Sequence, residues 1–153
     1  MQEGTTVTQN ERVLAALAHV GVLLGVFTGG LGGIFVALVV WLAEKEKSAY
    51  AAYQALQALV YQIVTLVVVA VFWMAWLAMW MGMLLLPLYA NPNAYDSAPP
   101  AGLWVGLILL VVPIAVTKLL VLYGLWGALR CLGGHPFDYA LIGRWVGSGR
   151  DSK

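Results

Sequence analysis

Apolar positions fall into four runs along this chain, separated by short polar or glycine-rich breaks. The first, residues 13–28, is interrupted only by His19 and follows the sequence Thr8-Gln9-Asn10-Glu11. That spacing is a capping box, in which the Thr8 hydroxyl takes a free backbone N–H at the helix start and Glu11 reaches back. A helix over 13–28 measures roughly 24 Å, short of the ~30 Å hydrocarbon core of a bilayer. Residues 29–33 read GGLGG, and a shorter apolar run at 34–43 ends at the charged cluster EKEK, residues 44–47. Two readings fit: one long tilted span kinked at the glycines, or a hairpin of two short helices, spanning or re-entrant. The hairpin is preferred, because glycines adopt the positive φ of a turn at little cost.

The third run, residues 54–89, carries no charge. Fully helical it would reach roughly 54 Å, more than a bilayer core spans. An amphipathic helix over 48–62 is therefore expected to lead into it along the interface, with Pro87 ending it. Residues 87–102 form a Pro- and Asn-rich loop with one charge, Asp96. The fourth run, residues 103–132, contains Pro113 and closes at Gly133 and Gly134. In the tail, residues 133–153, Phe137, Leu141 and Trp145 recur every four positions, which predicts a segment lying on the membrane surface. The fold class expected is an all-α integral membrane protein. It is a single domain over 1–153 with about four transmembrane helices, the first two a glycine-linked hairpin, preceded by a polar tail at 1–10.

Composition sharpens this picture: 62% of residues are hydrophobic and only 10% charged, so lipid must solvate most of the surface. A net charge of +1 gives no footprint for nucleic acid. The N-terminus lacks the basic region of a signal peptide, and the lone Cys131 excludes an internal disulfide. Arg12, Lys45, Lys47, Arg130, Arg144, Arg150 and Lys153 all flank apolar ends. With a hairpin these seven share one face and the 87–102 loop lies on the other. The positive-inside rule then places both termini in the cytoplasm of a multi-pass protein of the cell (inner) membrane.

Tyr50, Tyr53, Gln54, Gln57 and Tyr61 share one face of the lead-in helix, with Gln62 at its edge. Tyrosines anchor at the interface and glutamines bond neighbouring helices; the same face also suits a cytoplasmic groove that docks a partner's helix or extended chain. Lys118 sits about 18 Å before Arg130 along the fourth helix, near mid-membrane, with no acid in any span to pair with it. Snorkelling or bonding within the bundle is one reading, a partner's carboxylate or a lipid phosphate another. Gly21 and Gly25 recur at four-residue spacing with Gly29 and Gly33, as in close helix packing, and His19 is placed to bond a neighbouring helix. Trp73, Trp76 and Trp80 form a stripe that suits helix packing or contact with a flat apolar ligand such as a quinone or pigment. Two distant histidines and one cysteine give no metal-ligand spacing, and no nucleophile–base pair or cofactor motif is present.

Three blocks carry a resemblance to a known family: NERVLAALAHVGVLLG from Asn10, GGIFVALVVWLAEKEKSAYAAYQALQALVYQ from Gly32, and YGLWGALRCLGGHPFDYALIGRW from Tyr123. Their order resembles the family of the twenty-kilodalton membrane subunit of the chloroplast inner-envelope translocon and its bacterial relatives of unknown function. The resemblance implies about four helical spans with both ends on the cytoplasm-like side, and a link to protein translocation or complex assembly. The function expected is thus a non-enzymatic docking or accessory subunit of a membrane complex, without cofactor. Its partners would be lipids and other membrane subunits, with self-association left open. The alternative is a small lipid-, quinone- or pigment-binding subunit of a photosynthetic or respiratory complex.

Overall fold

The computed structural model describes residues 7–95, 98–140 and 142–143. Among these the chain is all helix and turn, without strands. Helix α1, Gln9–Phe27, starts at the expected capping box: Glu11 N–H donates to Thr8 Oγ1 at 3.3 Å, and Thr8 N–H donates back to Glu11 Oε2 at 2.7 Å. It ends at Thr28, and Gly29 and Gly30 follow with φ of +63° and +94°. Thr28 ties the turn together, donating to the Leu24 carbonyl and accepting from Gly32 N–H, both at 2.8 Å. Helix α2, Leu31–Glu44, then packs back along α1. The glycine series divides its labour. Gly29 and Gly30 turn the chain, whereas a Cβ at Gly21 would lie 3.0 Å from Val36 Cβ, and Gly25 lies against Gly30. Any side chain at Gly30 is strained by its φ and meets Leu66 Cδ1 at 2.6 Å. Gly30→Ala is expected to cost about 1–2 kcal/mol through the backbone alone, and Gly29→Ala, whose Cβ meets nothing, no more than that. Unfolding in detergent with a graded denaturant reads both costs; no loss in either variant would contradict the assigned turn.

Helix α3, Ala49–Ala90, is one continuous helix of 42 residues, roughly 63 Å long. The lead-in stretch is its first turns rather than a separate element. Pro87 does not end it, contrary to expectation. A proline has helical φ and removes only one donor, so the helix runs on and Asn91 N–H donates to the Pro87 carbonyl at 2.9 Å. The stop comes at Asn91, which precedes Pro92 and is thereby disfavoured from helix. Helix α4, Ala101–Leu109, and helix α5, Val111–Leu132, are parted at Leu110. Pro113 has no N–H for the Leu109 carbonyl, and the next bond, Ile114 N–H to the Leu110 carbonyl, is stretched to 3.4 Å.

Among the described residues three helical stretches are long and apolar enough to cross a membrane: Gln9–Phe27, Ala49–Ala90 and Ala101–Leu132; α2, with 14 residues, is shorter. The chain forms two compact units: Met1–Leu66 with Leu120–Lys153, and Val67–Leu119. In the first, one core cluster is made mostly of small residues, Ala18, Ala37, Ala55 and Ala58, all fully buried, and a second gathers Ala15, Ala16 and Ala128 around Tyr61, Phe137 and Tyr139. The largest fully buried side chains of the chain include His19, Gln54 and Gln57, while Phe27, Leu31, Phe35, Leu86 and Leu119 are exposed. Polar groups inside and large apolar groups outside is the inverse of a water-soluble domain, and it is the distribution that lipid favours.

Candidate functional site

His19, Gln54 and Gln57, fully buried in the first unit, converge on one place. Helix α5 ends in a Schellman arrangement: Gly134 N–H donates to the Cys131 carbonyl at 3.0 Å, and His135 N–H to the Arg130 carbonyl at 3.1 Å, with Gly134 at φ +75°. Residues 135–140 then run without helix, and Pro136 keeps His135 out of the helical region. This segment enters the face that Gln54 and Gln57 present.

The Gln54 amide brackets Phe137. Its nitrogen donates to the Phe137 carbonyl at 3.0 Å and its oxygen accepts the Phe137 N–H at 3.1 Å, the orientation that satisfies both groups. Gln57 Oε1 accepts the Tyr139 N–H at 3.0 Å, and Gln57 Nε2 donates to Asp138 Oδ1, which also accepts from Tyr53 Oη at 2.9 Å. Two glutamines one turn apart thus read the backbone groups of Phe137 and Tyr139 in a non-helical segment. Tyr61 stacks on Tyr139, with ring centroids 3.9 Å apart and planes 5° from parallel, and donates to the Leu120 carbonyl at 2.6 Å. Tyr123 meets Phe137, Tyr139 and Tyr61 edge-on.

His19 closes the cluster from α1, its Nδ1 2.9 Å from Tyr139 Oη and its Nε2 3.4 Å from the Gln54 amide. With the Gln54 nitrogen facing Nε2, the imidazole proton belongs on Nδ1 and is donated to the Tyr139 oxygen. Tyr139 is 2% exposed, and burial, with the nearby Tyr61, Cys131 and Tyr123, raises its pKa, so it stays protonated. Gln62 donates to the Ala18 carbonyl at 2.9 Å, and its Oε1 leaves no room for a Cβ at Gly33. Tyr50 reaches the carbonyls of Cys131 and His135 at 3.4 Å.

The glutamines and Tyr61 of the polar face read from the sequence are therefore internal, with Tyr50 and Tyr53 half-buried at its edge. Gln54 and Gln57 are fully buried, and the non-helical segment that fills the groove is the protein's own. Phe137 and Tyr139, expected on the membrane surface, are core residues; Leu141 and Trp145 of the same spacing, with Arg144, Arg150 and Lys153, lie outside the described residues, as does Asp96. Sequence reasoning placed Phe137 on the membrane surface, gave Cys131 no role, and passed over Asp138, Tyr139 and Tyr123. The available signal was the GGHP stop followed by two aromatics around an acid, which could have been matched to the unpaired glutamines.

In the second unit Trp73 Nε1 donates to Thr117 Oγ1 at 3.3 Å and Trp76 Nε1 to the Gly106 carbonyl at 2.9 Å. The indoles follow one another, Trp73 edge-on to Trp76 and Trp76 tilted on Trp80, so two of the three polar handles are spent on the facing helices. An open apolar cleft of about 560 Å³ lies between Met79, Met83 and Leu86 on one side and Gly102 and Val105 on the other. Lys118 is exposed, and among the described residues no carboxylate pairs with it. Among the described residues no group of three His, Cys, Asp or Glu is placed to hold a metal ion.

An all-helical chain with an apolar exterior and buried, largely hydrogen-bonded polar groups inside defines the class of helical membrane proteins. The chain matches the magnetosome magnetite crystal formation protein family over residues 10–146, and it belongs to that family. This corrects the resemblance to the chloroplast translocon subunit, and the link to protein translocation falls with it. The blocks that carried that resemblance build the helix core and the Gln54–Phe137 cluster; such packing solves a problem common to helical membrane proteins and does not specify a task. No curated protein and no solved structure matches the chain.

Proposed function

We propose that this chain is a non-enzymatic accessory subunit of the magnetosome membrane that takes part in magnetite crystal formation. The observation that carries this is the family match, which spans α1 through the segment that closes the polar groove. The chain crosses the membrane four times in this reading. The α1–α2 pair makes the first two crossings, with the short α2 met by local thinning of the bilayer, and both termini are cytoplasmic.

The sidedness bears on mechanism. The stretch between α3 and α4, residues 91–100, on the face away from the basic ends in this reading, brings one carboxylate, Asp96. Iron is held by several hard or imidazole ligands together, so this loop is poorly equipped to organise mineral alone. The chain is better suited to arranging other membrane proteins around the crystal, its own groove being filled and its large apolar faces open to neighbours. Deleting its gene in a magnetite-forming cell is expected to shift the size or shape distribution of the crystals in electron micrographs, with the intact gene restoring it. Crystals indistinguishable from the parent's would overturn the proposal.

A further inference from the structure

Lys118 is the one charge between Ala101 and Leu129, in the middle of the apolar stretch Ala101–Leu132. It stands 12 residues before Arg130, roughly 18 Å along the helix. Its neighbours on that face, Val111, Ala115, Leu119 and Leu122, are exposed and apolar or small. The nearest polar side chain, Thr117, is engaged with the Pro113 carbonyl at 2.8 Å and with Trp73. An ammonium left bare at that depth costs about 3 kcal/mol on insertion scales.

Three neutralisers come into question, and two fail on reach or composition. A lysine side chain extends about 6 Å from its Cα, whereas headgroup phosphates begin about 15 Å from the midplane of a ~30 Å core, so snorkelling to lipid falls short. A second copy of this chain has nothing to offer: its seven acids include Glu11 in the first turn of α1, Glu44 as the last residue of α2, Glu46 just beyond it, Asp96 between α3 and α4 in sequence, and Asp138 beside Gln57. Glu3 and Asp151 lie near the ends of the sequence, so none sits at mid-depth of a span.

We infer that the Lys118 face of α5 docks a transmembrane helix of a different protein that carries an Asp or Glu near the bilayer midplane. Charge complementarity selects the partner, and Ala115 lets its backbone come close. The inference deepens the accessory-subunit reading and rests on it for the membrane setting, but not on any role in crystal growth.

The purified full-length chain, donor-labelled and reconstituted in phosphatidylcholine vesicles, is mixed with acceptor-labelled polyleucine helices bearing Glu, Gln or Leu at their centre. The Glu helix is expected to associate about tenfold more strongly than the Gln or Leu helix, a coupling of ordinary size for a charge pair in lipid. Lys118→Leu removes the preference, and Lys118→Glu transfers it to a helix with a central Lys, which guards against reading a folding defect as a lost contact. Equal binding of the Glu and Gln helices overturns the inference, as does a Glu preference that survives Lys118→Leu. Energy transfer between copies of the chain that Lys118→Leu abolishes also overturns it, because the face would then join like chains. A change in crystal shape on gene deletion together with a negative result here would leave the accessory role standing and remove only this partner.

Discussion

Replacing Gln54 and Gln57 together with leucine is expected to free residues 135–140 from the interior while leaving the α1–α2 pair folded. Leucine fills nearly the same volume, so packing is largely kept. The loss is polar. Gln54→Leu strips partners from the Phe137 N–H and carbonyl, and Gln57→Leu strips them from the Tyr139 N–H and weakens the hold on Asp138. Each buried backbone group left unpaired costs about 1–3 kcal/mol, which exceeds what the Tyr61–Tyr139 stack returns at about 0.5–1.5 kcal/mol. Limited proteolysis in mild detergent should then cut within 135–140 in the double variant and not in the parent. Equal resistance would show that the aromatic contacts alone suffice. Because the groove then stands open, the double variant is also the form in which an external peptide would find it.

The second large effect is expected at Gly106. A Cβ built there falls inside the Trp80 indole, and that ring cannot swing away freely, because Trp76 tilts against it at a centroid distance of 5.0 Å while holding the Gly106 carbonyl. Overpacking of this kind costs about 1–3 kcal/mol and more when the neighbour is rigid. Gly106→Ala should lower the thermal midpoint in detergent and shift tryptophan emission. Gly82→Ala, whose Cβ would meet nothing within 4 Å, should leave both unchanged. A neutral Gly106→Ala would mean that the stripe does not seat on α4, and would revive contact with an apolar ligand as its role.

These two sites show where sequence reasoning reaches and where it stops. The capping box at Thr8 and Glu11 and the turn at Gly29 and Gly30 were legible because a local spacing sets a local geometry. The shared face of Gln54, Gln57 and Tyr61 was legible from helical period alone. What fills that face was not, because Gln57 and Tyr139 are 82 positions apart and no period links them. The four-residue recurrence of Phe137, Leu141 and Trp145 pointed outward, yet backbone groups without a helix must find partners away from water, and the glutamines supply them. Pro87 misled in the opposite way, since a proline near the end of a long helix removes one bond without stopping it. The family assignment was beyond the residues singled out, because those residues encode packing.

The central claim is that a polar groove in a lipid-facing helical protein is closed by its own chain at Phe137–Tyr139. Amide hydrogen exchange on the chain in lipid nanodiscs tests it most directly. The account predicts that the Phe137 and Tyr139 amides exchange as slowly as those around Ala15 and Ala18 in α1, both fully buried. Exchange at these two amides at the rate of an unstructured peptide, with α1 still protected, would contradict it.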